Sequence, residues 1–491
     1  MADPTPTLMS SAAASASAQA LPRPTLGLFE AITLIVGVVI GAGIFKSPAL
    51  VASMTGSIEW MFGAWILGGI VSLVGALCYA ELTTAYSHAG GDYHFLVRAY
   101  GRSVGFLFGW ARLSVITTGS IALLAFVFGD YLHGLLPLGG VGNKWGPVVY
   151  AASCVIALTW INLFGIRAGS VTQTWLTVLE VLGLLAIVIA ASVAGGLREE
   201  SATVTMPATS SFGMAMVLVL LTFGGWNEAA YISAEVKDGK RNLVTALTAS
   251  IVIITMLYLL VVWAFWKGLG MEAMGKSDTV AADLMRSSFG AGGERFIAVL
   301  VLVSAVTSIN ATMIVGARTS YALACDWPIL GRLAAWDPHR DSPATAMRVQ
   351  CIAALCLLFI GGLVGNGFKS MVEFTAPVFW VFFLLSGMSL IVLRVREPNT
   401  PRPFRVPFYP LLPLMFCVTC AFMLWSSLSY VYSQELGGWN AAWIGIAVLF
   451  MGIVLLLLMR RFPSGSRMRS VPSGMQSGIQ ASSLSSISEK E

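Results

Sequence analysis

Charge is what this sequence has least of. Only 11% of its 491 residues are Asp, Glu, Lys or Arg, where a soluble domain carries roughly 25%. That excludes a water-exposed globule. The net charge of +5 sits mostly in tails and short gaps, so it calls for no nucleic-acid partner. Histidine is scarcer still. The four at 88, 94, 133 and 339 form no His-Glu-x-x-His pattern, and no metal centre is expected. The seven cysteines, at 78, 154, 325, 351, 356, 417 and 420, all fall in or beside apolar runs. A disulfide framework is thereby excluded, and Cys417-x-x-Cys420 reads as small core residues. There is no Gly-x-Ser-Gly of a membrane serine protease and no Thr-Val-Gly-Tyr-Gly of a potassium filter. Gly270-x4-Gly275-Lys276-Ser277 fits a phosphate-loop pattern, but it follows an apolar run where a real one follows a strand. No catalytic residue, cofactor or metal is expected, and the chain does not read as an enzyme.

Apolar residues are abundant. They make up 57% of the chain, and mean hydropathy is +0.80. Twelve segments can span a bilayer, at about 27–49, 58–84, 103–136, 146–166, 174–196, 212–234, 243–266, 296–325, 349–367, 371–393, 408–432 and 439–459. With these bounds, the tails and even-numbered gaps hold nineteen Lys/Arg and the odd-numbered gaps seven; Lys46, Arg112 and Arg318 lie within spans. The positive-inside rule places both termini in the cytoplasm. The expected class is an all-α polytopic protein of the cell membrane. Residues 1–26 and 462–491 read as disordered cytoplasmic tails. The first lacks the basic start of a signal peptide. The gap from Lys267 to Arg295 is expected to hold a short surface helix, and the gap from Asp326 to Arg348 a partial helix.

Glycine is plentiful, at 50 residues, and two clusters interrupt apolar runs. Gly41-Ala42-Gly43 breaks Leu28 to Leu50, and Gly224-Gly225-Trp226-Asn227 breaks Phe212 to Ala234. Close helix packing is one use for such glycines. Opened backbone is the other, and it is tolerated at membrane depth where it lines a cavity. Spans 1–5 (27–196) and 6–10 (212–393) form two halves of opposite orientation, because five is odd. The breaks then fall at corresponding places, in spans 1 and 6, which points to a site between inverted repeats. Spans 11 and 12 (408–459) lie outside the repeat. Unwinding exposes the N–H groups of Ala42, Gly43 and Ile44, which suit a carboxylate. Carbonyls near Val39 and Ile40, and from Leu221 to Gly224, suit an ammonium group. The guest is a zwitterion about the size of an amino acid. Asn227 and Glu228 add polar groups beside the second break, and Phe223 and Trp226 are candidate walls.

The chain carries Ile40-Gly-Ala-Gly-Ile-Phe45 with Ser47-Pro48, Tyr79-Ala-Glu81-Leu82, Gly90-Gly91-x-Tyr93 and Ala99-Tyr-Gly101. It also carries Phe223-Gly-Gly-Trp-Asn227, Glu235 with Arg241-Asn242, Gly316-x-Arg318 and Ala322-x-Ala324-x-Asp326. In these motifs it resembles the amino acid–polyamine–organocation superfamily, near the L-amino acid transporter branch and its bacterial relatives. The resemblance implies twelve helices, a five-plus-five inverted repeat with discontinuous helices 1 and 6, and two extra helices. It places the carboxylate on Ala42, Gly43 and Ile44 around Gly41, and the amine on Ile40 and the carbonyls of Leu221 and Gly224. The family's covering aromatic falls on Leu221, which is not aromatic, and Phe223 and Trp226 are the candidate substitutes. Ser308 and Asn310 match polar core positions. Several relatives carry a Lys where this chain has Glu180.

The function expected is secondary transport of L-amino acids by alternating access, as an exchanger or a proton-coupled symporter. A sodium-coupled or polyamine carrier is the alternative, and an amino acid receptor that moves nothing is the alternative from another class. Glu180 and Glu228 are candidate coupling groups, with protons as candidate co-solute. Glu235, Lys237 and Arg241 read as an inner-loop charge network, and Glu81 and Arg318 as gate or ion-pair residues near the inner face. Arg112, in span 3, needs a partner or a water-filled path and reads as structural. Lys46 is expected to snorkel outward. The expected partners are substrate and membrane lipid, with no nucleic acid and no disulfide-linked heavy chain. A monomer and a homodimer both remain open.

Overall fold

In a computed structural model of the chain, the residues described are 27–88, 91–139, 143–164, 170–193, 207–228, 230, 236, 239–335, 343–433 and 441–461. The first apolar run forms α1 (Leu28–Val39), a 3-10 turn (Ala42–Phe45) and α2 (Ser47–Thr55). Next come α3 (Ile58–Ala85) and the short α4 (Gly91–Tyr100). One long rod follows, made of α5 (Arg102–Ala111), a π-helical turn (Arg112–Ile116) and α6 (Thr117–Leu135). The first half closes with α7 (Gly146–Leu163) and α8 (Ser170–Val193).

The second glycine-broken run gives α9 (Thr209–Thr222) and a 3-10 turn (Trp226–Glu228). After it come α10 (Gly239–Leu269), α11 (Met271–Lys276) and α12 (Val280–Asp326). Helix α12 kinks at Gly290, whose φ of 65° and ψ of −158° lie outside helical space. The stretch before the kink, together with α11, is the surface helix expected in the long gap. A 3-10 turn (Pro328–Ala334) supplies the partial helix expected after residue 326. The chain continues through α13 (Ala344–Val364), α14 (Gly367–Arg396), α15 (Leu411–Ser433) and α16 (Ala441–Arg461).

Among the described residues, nine helices are long and apolar enough to cross a membrane. Three shorter apolar helices, Leu28–Val39, Thr177–Ser192 and Ser211–Thr222, lie at the expected spans 1, 5 and 6. Spans 1 and 6 are short because their backbones open before crossing. Many outward-facing side chains are large and apolar, such as Ile66, Ile156, Phe359 and Phe450, as a protein solvated by lipid requires.

The broken helices sit at the centre. Helix α1 packs between α8 and α10, and α9 packs against α2, α3 and α15. Helix α12 closes over them from α6 and α8, while α14 joins α6 to α15 and α16. The side where α1 starts is called near, and the side where α2 ends is called far.

Candidate functional site

Helix α1 stops at Val39: Ile40 leaves helical space with ψ of 82°, and Gly41 follows as extended backbone, with φ of −107° and ψ of −177°. Ala42 and Gly43 then lead a 3-10 turn, where no carbonyl one turn back meets their N–H groups. Pro48 restarts the helix in its first turn, where a missing N–H costs nothing. At the broken end, the Val39 carbonyl accepts from Gly41 N at 2.8 Å and from the Tyr258 hydroxyl at 3.0 Å.

Helix α9 ends at Thr222. Gly224 N turns back to the Leu221 carbonyl at 3.0 Å, and Gly225 takes φ of +109°. That conformation suits glycine alone, and space enforces it too. A Cβ on Gly225 would lie 3.0 Å from the Val38 carbonyl oxygen. The two breaks therefore meet backbone to backbone.

Two further contacts tie them. Tyr258 on α10, wholly buried, reaches the Thr222 carbonyl at 3.2 Å as well as that of Val39. Thr222 Oγ1 lies 2.8 Å from Ser47 Oγ, at the start of α2. Sequence reasoning missed Tyr258. The available signal was a phenol hydroxyl deep in an apolar run, the kind of group that must find a partner at that depth.

A cavity of about 320 Å³ opens where the breaks meet. Of the residues singled out from sequence, Gly41, Gly43, Leu221, Gly224, Asn227, Glu228 and Ser308 line it. Ser308 on α12 faces Gly41. The side chains of Ile40, Ala42 and Ile44 turn into the core, so only their backbone belongs to the break.

Phe223 and Trp226 stand behind the cavity. Phe223 packs on Trp65 and Tyr258, and Trp226 on Tyr79, Phe383 and Phe416. The rings that do line the cavity are Phe108 on α5 and Phe368, Phe379, Phe382 and Phe383 on α14. Asn310 lies elsewhere, its Oδ1 accepting from Asn162 Nδ2 on α7 at 2.6 Å. Glu180 on α8 is buried, one residue behind the wall; its Oε1 lies 3.4 Å from Oγ1 of the lining residue Thr307.

Arg112 has the partner it needs. Its Nη2 donates to both carboxylate oxygens of Glu228, at 2.8 and 3.1 Å, across the near end of the cavity. Arg112 opens the π-helical turn, a form that concentrates at functional sites. Asp92, in the first turn of α4, lines the same end. Sequence reasoning passed over it because it sits inside the Gly90-Gly91-x-Tyr93 motif.

Ion pairs brace both sides. On the far side, Lys46 does not snorkel. It is buried, and its Nζ donates to Asp130 Oδ2 at 2.7 Å and to the Asp278 carbonyl at 2.8 Å. Two acceptors at hand hold the ammonium more firmly than a long reach to water. The Tyr131 hydroxyl adds a bond to the Phe45 carbonyl at 3.0 Å.

On the near side, buried Glu81 pairs with Arg394, whose Nε lies 2.7 Å from Oε1, and accepts from Val406 N at 2.7 Å. Arg402 Nε stands 3.5 Å from the same carboxylate. Arg98 forks onto Glu397, with bonds of 2.9 to 3.1 Å. The hydrogen bonds from Arg98 hold the Glu397 carboxyl below its usual range. Arg318 and Arg241 are exposed, while Glu235 and Lys237 lie outside the described residues. All seven cysteines are free thiols.

Two membrane helices opened at one point, over a cavity with peptide poles in its wall, define a polytopic carrier-type membrane protein. The chain belongs to the amino acid permease family, whose model matches residues 26–465. This agrees with the superfamily that its motifs resemble. It is 28% identical to the serine/threonine exchanger SteT of Bacillus subtilis (strain 168), over 83% of this chain and 91% of that protein. It is 28% identical to the large neutral amino acids transporter small subunit 2 of Mus musculus, over 89% of this chain and 81% of that one. Against the Asc-type amino acid transporter 1 of Mus musculus the figures are 26%, 89% and 81%.

Proposed function

We propose that this chain is a secondary transporter of L-amino acids that works by alternating access. The observation that carries the reading is the meeting of the two breaks at one cavity. An α-carboxylate is assigned to the amides of Ala42, Gly43 and Ile44, and an α-ammonium to the carbonyls of Ile40, Leu221 and Gly224. Helix ends of opposite polarity suit those two charges. Under this reading the core is a five-plus-five inverted repeat (27–196 and 212–393) within twelve spans, with 408–459 as two extra helices. The near side is cytoplasmic, as the excess of Lys/Arg in its tails and gaps suggests.

The contacts of Lys46 with Asp130 and Asp278, and of Tyr131 with Phe45, lie beyond the breaks on the far side. Asp92, Arg112 and Glu228 line the near end. The state is therefore read as closed outward, with its mouth toward the cytoplasm. Exchange is the favoured mode, since a relative over most of this chain's length bears the name of an exchanger. Proton symport is the second reading, and it rests on buried Glu180 beside Thr307.

Uptake of labelled amino acids into proteoliposomes tests all of this, with and without internal amino acid, a proton gradient, and choline in place of sodium. Uptake stimulated by internal amino acid supports exchange. A pH profile flattened by Glu180→Gln supports symport. Binding without uptake under every condition overturns transport in favour of a receptor.

A further inference from the structure

We propose that Lys46 works the far-side closure by changing partners. Asp130 holds it while the cavity is shut on that side, and the Asp278 carboxylate takes it over when that side opens. The inference rests on the alternating-access reading above, and it adds how the outer closure is built and released.

The clamp joins three pieces of chain. Lys46 stands between the first break and α2, Asp130 lies on the far half of α6, and Asp278 lies two residues past α11. Lys46 Nζ is 2.7 Å from Asp130 Oδ2 and 2.8 Å from the Asp278 carbonyl oxygen, while Asp278 Oδ1 stands off at 3.4 Å. The side chain of Lys46 is 5% exposed, that of Asp130 22% and that of Asp278 89%. The ammonium is therefore paired with Asp130, and the Asp278 carboxylate lies in water within its reach. A pair with so exposed a carboxylate adds little to the closed state.

The packing decides which partner stays with Lys46. Helix α11 lies against α2, and a Cβ on Gly275 would come within 3.3 Å of the Ser53 backbone. So close a fit carries α11, and Asp278 just beyond it, along with α2. Helix α6 has its main neighbours in α7, α12, α13 and α14 instead. It holds the Lys46 segment through Asp130 and through the Tyr131 hydroxyl, which donates to the Phe45 carbonyl. Moving α2 away from α6 breaks both of those bonds and leaves Asp278 at hand. A buried ammonium that loses its counter-charge is costly. The second carboxylate removes that cost, so the far side opens without stranding the charge. A handover needs that carboxylate; a fixed clamp is complete with Asp130 alone.

The test reads opening from the far side. Ser120 lines the cavity, and Ser120→Cys places there a thiol that a membrane-impermeant maleimide, added to intact cells, reaches only through an open far side. The chain without that cysteine sets the background. In the Ser120→Cys chain, adding Asp130→Asn is expected to raise the labelling rate about tenfold or more. Adding Asp278→Asn is expected to lower it about threefold and to slow exchange of labelled amino acid. The opposite signs are the signature of the handover, and any other pattern overturns it; a rise in both variants marks a fixed clamp with two acceptors. Asp278 is exposed, so its variant decides alone if Asp130→Asn fails to fold. If no chain is labelled from the far side or takes up amino acid, while inside-out vesicles are labelled, the alternating-access reading falls and the handover with it.

Discussion

Replacing Tyr258 by phenylalanine removes one oxygen atom from the junction of the two breaks. The ring stays, so its packing against Trp65 and Phe223, with centroids 5.7 and 5.1 Å away, is kept and no cavity opens. What is lost is the donor to the carbonyls of Val39 and Thr222, at 3.0 and 3.2 Å. A hydroxyl donates one proton at a time, so the loss is one hydrogen bond's worth, shared between two acceptors. The Val39 carbonyl keeps its bond from Gly41 N, and the Thr222 carbonyl, at the open end of α9, bears most of the deficit. Leaving a buried acceptor unpaired costs about 1–3 kcal/mol. If that cost falls on the geometry of the breaks, substrate affinity drops about 5- to 150-fold. The assay is substrate binding to purified protein in detergent, with a thermal melt of the same samples. The expected outcome is weaker binding in that range and a melting temperature lowered by a few degrees. Binding within twofold of wild type with an unchanged melt refutes the idea that this hydroxyl holds the breaks together.

Gly43→Val should abolish binding while the protein still folds. An added Cβ meets Thr222 only at ordinary contact distance, 3.8 Å, and the branched methyl groups occupy the substrate's place; wild-type affinity in a binding assay counts against the site. Glu81→Gln should destabilise the fold by about 3–5 kcal/mol, because buried cations then lack their counter-charge, and a thermal melt reads this directly. His88 and His94 stack at 4.3 Å outside the spans, and burial lowers the His94 pKa from 6.5 to about 4. The unfolded chain then binds the proton first, so stability should fall as pH drops from 6.5 toward 4. Melting temperatures across that range should show the slope, and His94→Gln should flatten it; an unchanged slope in the variant removes His94 as its source.

Where the backbone opens was legible because the two glycine clusters fall at corresponding places, in spans 1 and 6. Gly41 and Gly224–Gly225 are where α1 and α9 stop. The direction of the neighbouring side chains was not legible. Leu221 lines the cavity, and Phe223, two residues on and about 200° around the helix, points to the opposite side. Pairs formed across long stretches of chain were hidden as well. Lys46 finds Asp278 232 residues away, and Glu81 finds Arg394 313 residues away. Nothing local announces such partners. Asn310 was chosen for polarity near the core, and its helix turns it toward Asn162 instead. Asp92 was passed over because a motif label hid the chemistry of the residue within it.

The π-helical turn at Arg112–Ile116 gives the rod from Arg102 to Leu135 a fixed phase. The extra residue in that turn absorbs about 100° of rotation, so winding the same residues as a regular α-helix would twist all that follows by about that much relative to Arg112. Arg112 reaches Glu228 from one end of this rod, while Asp130 and Tyr131 hold Lys46 and the Phe45 carbonyl from the other. A single local widening thus times the two ends against each other, like a cam cut on one shaft. Regular winding of that turn with every residue kept would leave a smoother helix in which the two ends could no longer engage together.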